Sequence, residues 1–144
     1  MAVKYTQEVG KNRACAMGPH LPISTKISME ICTFLRGKKV DAAKKILENV
    51  MEKKQAIPFK RFNWDMGHKA GMAAGRYPTK ASKEILTIIK SAESNATFKG
   101  LSTKDLIIKY IVAKQGGKQY RFGRLRGRKA KRTHIEVIVE EVKK

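Results

Sequence analysis

Leu106-Ile107-Ile108-Lys109-Tyr110-Ile111-Val112-Ala113 and Thr133-His134-Ile135-Glu136-Val137-Ile138-Val139-Glu140 are the two runs on which the reading of the fold turns. In the first, Leu106, Ile108, Tyr110 and Val112 alternate with Ile107, Lys109, Ile111 and Ala113. In the second, Thr133, Ile135, Val137 and Val139 alternate with His134, Glu136, Ile138 and Glu140. A period of two sends successive side chains to opposite faces of a strand. The second run thus has one apolar and one polar face, the pattern of a half-exposed antiparallel strand. A shorter strand is expected around Ala14 to Met17.

Between the two runs, residues 114–132 hold Lys114, Lys118, Arg121, Arg124, Arg126, Arg128, Lys129, Lys131 and Arg132 and no acidic residue. Tyr120, Phe122, Leu125 and Ala130 are their only apolar content, too little for a core. Pairing Ile108 near Val137 puts the turn close to Phe122–Gly123. Each arm then runs about 17 residues, or roughly 55 Å, against a radius of gyration of about 13 Å for a compact domain of about 100 residues. The sequence therefore predicts a β-hairpin over residues 105–142 with its tip near 118–128, projecting from the body. A solvated two-stranded ribbon is marginal in water, so the tip is expected to be mobile until a polyanion buries it. A disordered basic loop and a nuclear-localisation signal are the other readings; the flanking strands, which bring the loop's ends together, favour the hairpin.

Upstream, three helices are expected. The first follows Ser24 as N-cap, sets Ile27, Ile31, Phe34 and Leu35 on one stripe and stops at Gly37. The second starts at Asp41 as N-cap, carries Ala43, Ile46, Leu47, Val50 and Met51, and ends before Pro58. The third opens at Pro78-Thr79, carries Ala81, Ile85, Ile88, Ile89, Ala92 and Ala96, and closes at Gly100. All three stripes read as core. The expected architecture is α+β: three helices packed on a small antiparallel β-sheet, in a single domain over residues 1–144.

Residues 58–77 are long for a connection inside a compact domain. They hold Lys60, Arg61, His68, Lys69 and Arg76, interleaved with Phe59, Phe62, Trp64 and Tyr77. An independent core is not expected there. Phe59 and Tyr77 are read as packing on the body, and Trp64 or Phe62 as able to stack on an unpaired base.

Composition agrees with where these segments put their charge. Of 144 residues, 32 are Lys or Arg against 12 Asp or Glu, a formal charge of +20 that works against a compact state. A permanent polyanion partner would neutralise it, and nucleic acid fits best because counterion release rewards many dispersed cations. No apolar run reaches membrane-spanning length, and Met1 to Thr6 lacks the apolar core of a signal peptide, so no membrane insertion is expected. Cys15 and Cys32 form no CxxC pair; both are expected to be reduced thiols in the cytosol. His68 lacks the neighbouring ligands a metal needs. No nucleophile–base pair or Walker-form loop appears, so neither catalysis nor a cofactor is expected. Glu93 and Asn95 are read as organising local structure.

The pieces resemble a known family in order as well as kind. Ile57-Pro58-Phe59-Lys60-Arg61-Phe62-Asn63, Gly67-His68, Gly75-Arg76-Tyr77-Pro78, Ala92-Glu93-Ser94-Asn95-Ala96, Lys99-Gly100-Leu101, Phe122-Gly123-Arg124 and Thr133-His134-Ile135-Glu136-Val137 carry the likeness. Together they resemble the large-subunit ribosomal protein called L twenty-two in bacteria, in the archaeal and eukaryotic branch whose eukaryotic member is called L seventeen. The likeness spans about Leu21 to Glu141. It implies a structural constituent of the large subunit that binds ribosomal RNA near the polypeptide exit tunnel, contributes to subunit assembly and translation, and lines the tunnel with its hairpin beside the protein called L four. It implies neighbouring ribosomal proteins and the nascent polypeptide as partners, no homo-oligomer, and a cytoplasmic location, with nucleolar assembly if the source is eukaryotic. Gly123 and Arg124 match the family's Gly-Arg step near the tip. Tyr120 and Arg121 stand where relatives often carry Arg-Ala, and a proline common near the tip is absent. The residues expected to meet RNA are Lys118, Arg121, Arg124, Arg126, Arg128, Lys129, Lys131 and Arg132 in the arm, and Lys60, Arg61, Trp64, His68, Lys69 and Arg76 in the loop. A free nucleic-acid-binding factor and an enzyme acting on RNA are the competing readings.

Overall fold

A computed structural model of the chain describes residues 5–7, 10 and 12–142. In chain order it contains β1 (Arg13–Leu21), α1 (Thr25–Leu35), α2 (Val40–Met51), β2 (Ile57–Pro58), β3 (His68–Lys69), β4 (Met72–Arg76), α3 (Thr79–Phe98), β5 (Leu106–Gln115) and β6 (Thr133–Glu141). Two short 3-10 turns, Thr103–Asp105 and Gly123–Leu125, complete it. The architecture is α+β, with the three helices on an antiparallel sheet of order β1-β6-β5.

β6 is the central strand, paired with β1 on one side and β5 on the other. Its Ile135, Val137 and Val139 join Ala14 and Ala16 of β1 and Ile108, Ile111 and Ala113 of β5 in the core. The strand is not half-exposed as its alternation suggested: Ile138 and Glu136 of the other face are buried as well. β5 departs from simple alternation too. A bulge between Ile108 and Tyr110 shifts the register, so Ile108 pairs with Val139 and Ile111 with Val137. An extra residue on one strand of a pair moves the following side chains to the opposite face, and Ile108 and Ile111 are thereby both buried.

α3 lies across β1 and β6, α2 against α3, and α1 against β5. The α3 stripe is buried from Ala81 through Ile85, Ile88, Ile89 and Ala92 to Ala96. Close approach of helix and sheet depends on Gly18, where an added Cβ would stand 2.5 Å from the Ile88 side chain. The end of α3 is a Schellman motif: Gly100 (φ 75°) donates to the Thr97 carbonyl and Leu101 to that of Ala96. Asp41 is not the cap of α2; Lys39 holds that position, and Asp41 in the first turn pairs with Lys44 at 2.8 Å.

Both edges of the main sheet are covered in part. Along β1, Asn95 Nδ2 donates to the Cys15 carbonyl and Lys99 Nζ to that of Arg13. Along β5, the α1–α2 connector pairs instead, with Gly37 N donating to Ile108 O and Ile108 N to Lys38 O.

On the outer face, the fully buried Glu136 carboxylate accepts from Lys114 Nζ and from the backbone and hydroxyl of Thr6. Desolvation pushes its pKa up, but the Lys114 and Thr6 hydrogen bonds outweigh that and hold it below the usual carboxylate value. The stability this contributes is present above the unfolded-state value of 4.5 and is lost as pH falls through the lower folded-state value.

Two outcomes are expected. Lys114→Met, which strands the buried carboxylate, lowers unfolding free energy by about 2–3 kcal/mol near neutral pH in urea titrations, with the deficit shrinking as Glu136 becomes protonated in acid. Lys53, the left-handed residue (φ 61°) after α2, becomes more favourable as glycine; Lys53→Gly is expected to raise stability by about 0.5–1 kcal/mol in the same titration.

Candidate nucleic-acid interface

The connection over residues 58–77 is more ordered than its composition suggested, because it forms a second small sheet of order β2-β4-β3. Ile57 pairs with Arg76 and Pro58 with Gly75, while β3 and β4 form a hairpin turning at Gly71. Phe59 is buried in the main core and donates its amide to Ala74.

What holds the loop to the body is a carboxylate that sequence reasoning passed over. Glu30 of α1 is only 4% exposed. Its Oε1 accepts from the amides of Arg61 and Phe62 at 2.8 and 2.9 Å, and its Oε2 from that of Lys60 at 3.2 Å. Three backbone donors compensate the buried charge without consuming a basic side chain. The signal available was an acidic residue one position before the buried Ile31 on an otherwise core-facing stripe, which needs a partner to be tolerated there.

Lys60, Arg61, Trp64, His68, Lys69 and Arg76 all stand exposed on this anchored loop, Trp64 at 95%. The Phe62 ring has Arg61 and Lys26 at 5.4 and 5.7 Å from its centre, and Lys69 stands 5.4 Å from that of Tyr77, distances at which cation and ring attract.

Beyond the Gln115–Thr133 pair the β5–β6 ladder becomes irregular. Backbone bonds continue from Gly116 N to Arg132 O, Ala130 N to Gln119 O and Arg121 N to Arg128 O, and the 3-10 turn at Gly123–Leu125 reverses the chain. Lys118, Arg121, Arg124, Arg126, Arg128, Lys129 and Lys131 are exposed, and Arg132 is half-buried. Lys129 lies 4.7 Å from the Tyr120 ring centre across the paired strands. At the arm's root, His134 Nδ1 accepts from the His20 amide at 3.1 Å; burial, then nearby His20 and Lys114, lower its pKa and favour the neutral ring this bond needs. A cleft of about 670 Å³ separates Arg121, Lys129 and Arg132 of the arm from Ser24 and Thr79 at the starts of α1 and α3.

The ion pairs are confined to the body and the root of the arm, although several body cations are unpaired too. The ion pairs of the described residues join Arg13 and Lys109 to Glu140, Lys44 to Asp41 and Glu93, Lys114 to Glu136, Lys39 to Asp105 and Lys54 to Glu52. None involves a loop or arm residue expected to meet RNA. Glu93 and Asn95, read as structural, join α3 to α2 and to β1. Among the described residues no group of three or more His, Cys, Asp or Glu lies together as a metal site, and no helix is long and apolar enough to cross a membrane.

A small α+β body presents unpaired cations on a tethered loop and on a paired arm. The chain belongs to the family described as ribosomal protein L22p/L17e, whose model matches residues 16–140. That family is structural and not enzymatic. Among its relatives, the large ribosomal subunit protein uL22 of Archaeoglobus fulgidus is 41% identical, over 94% of this chain and 93% of its own. Those of Methanococcoides burtonii, 40% identical over 98% of both chains, and Methanocaldococcus jannaschii, 42% identical over 96% and 95%, are similar to the same extent.

Glu30→Ala is expected to release the loop. Hydrogen exchange at Lys60, Arg61 and Phe62 should accelerate at least tenfold, with about 2 kcal/mol lost in global stability.

Proposed function

We propose that the chain is a structural constituent of the large ribosomal subunit. It binds the large ribosomal RNA through loop 58–77 and arm 105–142 near the polypeptide exit tunnel, where the arm lines part of the wall. The observation that carries this reading is the crowding of unpaired charge: the cations of the loop and of residues 118–132 of the arm have no carboxylate partner, and every ion pair of the described residues lies outside those two stretches. An array of this kind is neutralised by phosphates.

The residues divide by geometry. Arg121, Arg124, Arg126 and Arg128 present planar forks suited to two phosphate oxygens or to a base face. Lys118, Lys129, Lys131 and Arg132 supply charge along the rest of the arm. Lys60, Arg61, His68, Lys69 and Arg76 hold RNA backbone at the loop, and Trp64 stacks on an unpaired base. RNA helices bury their base edges in a deep, narrow groove, so phosphates, sugars and unpaired bases are what such a surface meets. Neighbouring ribosomal proteins complete the surroundings, the nascent polypeptide passes the arm's tip, and the protein works within cytoplasmic ribosomes.

The chain is expected to sediment with large subunits through moderate salt; free migration under those conditions would overturn the reading. Replacing Arg121, Arg124, Arg126 and Arg128 together by Gln should reduce the log–log salt slope of RNA binding by about 3, at about 0.7 per neutralised phosphate. A ribosome map with these arginines facing solvent would remove the tunnel placement.

A further inference from the structure

Arg61 and Phe62 separate two recesses. On one side lies the open cleft of Trp64, Asp65 and Arg76. On the other is a pocket of about 260 Å³, roofed by the loop and floored by Met29, Cys32 and Thr33 of α1 and Val112 and Ala113 of β5. The functional reading above makes no use of this second pocket.

Its chemistry is specific. The floor is largely apolar, and burial pushes the Cys32 thiol up to about 12, so it adds no charge. The only carboxylate in its wall, Glu30, has both oxygens engaged by loop amides. The rim carries Arg36, Lys60 and Arg61, all exposed and, among the described residues, without a carboxylate partner. The volume lies below the range of about 300–1,000 Å³ typical of drug-sized ligands and suits one planar ring system. An apolar slot with an aromatic wall and a cationic rim matches a base attached to its phosphates. A side chain from a partner protein would match the slot, but its chain would have to bring anions for the rim.

We propose that this pocket receives one unpaired nucleobase of the bound RNA, turned out of its strand, with the flanking phosphates on Arg36, Lys60 and Arg61. The next base lies across the Arg61–Phe62 partition on Trp64. Unpaired bases stack readily on aromatic rings and guanidinium planes, and the Glu30 anchor holds the roof at a fixed height. This inference rests on the RNA-binding reading of the loop.

The test uses the full chain and two probes, hexa-adenylate RNA and the same oligomer with one central abasic site, read by fluorescence anisotropy at physiological ionic strength. The intact oligomer should bind about tenfold more tightly, the scale of one stacked base. Thr33→Trp, at the exposed lip of the pocket, should bring that ratio towards one while leaving abasic affinity unchanged. Phe62→Ala should do the same and serves if circular dichroism shows the first variant unfolded. Arg126→Ala at the arm's tip should weaken both oligomers equally. A ratio that neither pocket variant alters overturns the proposal while leaving RNA binding intact. Subunits that lose a neighbouring protein on Thr33→Trp, with the ratio unaltered, would give the pocket to a protein side chain. Failure of the wild-type chain to bind either oligomer would overturn the RNA-binding reading itself.

Discussion

Charge repulsion is the constraint that the rest of the structure works within. Twelve carboxylates share a chain with 32 Lys and Arg side chains, and their placement is economical. Glu136 and Glu140 brace β6 against both neighbouring strands through Lys114, Arg13 and Lys109. Glu93 and Asp41 meet on Lys44 between α2 and α3. Glu30 spends no cation at all, holding three amides instead. The carboxylates thus compensate the body in part, while residues 118–132, with little apolar material, carry their cations with no acidic residue among them.

That division explains how the molecule keeps a core despite its net charge. The interior is built from Ile, Leu, Val and Ala of three helices and three strands, where burial of apolar area is the main favourable contribution. The loop is held by hydrogen bonds to a single carboxylate and by Phe59. Along the arm, only scattered backbone pairs and the Tyr120–Lys129 contact continue the ladder. Stability is therefore expected to decline from β6 outward, with the most cationic residues on the least constrained backbone, free to adjust to a polyanion.

Much of this was legible in the sequence because helix periodicity and apolar runs report burial directly. The α3 stripe from Ala81 to Ala96 is buried as read, and β1 extends in both directions from the shorter strand expected at Ala14 to Met17. The failures have specific causes. Glu136 and Ile138 were read as lying on a polar, solvent-facing side, but both are buried on the central strand, Glu136 with Thr6 and Lys114 on its carboxylate. The β5 bulge cannot be seen in alternation alone, since Ile107, Ile108, Tyr110, Ile111 and Val112 are apolar in either register. Asp41 looks like a cap, yet Val40 is already helical and buried. In the loop, the cations and Trp64 were visible by type, whereas Glu30 lies about thirty positions away along the chain and only the folded arrangement brings it to them.

The partly covered edges of the main sheet bear on the life of the molecule before any partner is met. A newly made basic protein waits among other chains, and an open strand edge would invite pairing with a second copy. Here Asn95 and Lys99 occupy carbonyls along β1, and the Gly37–Lys39 connector takes up β5. One connector and two polar side chains thereby guard parts of both edges against mispairing, and like-charge repulsion between copies adds to that.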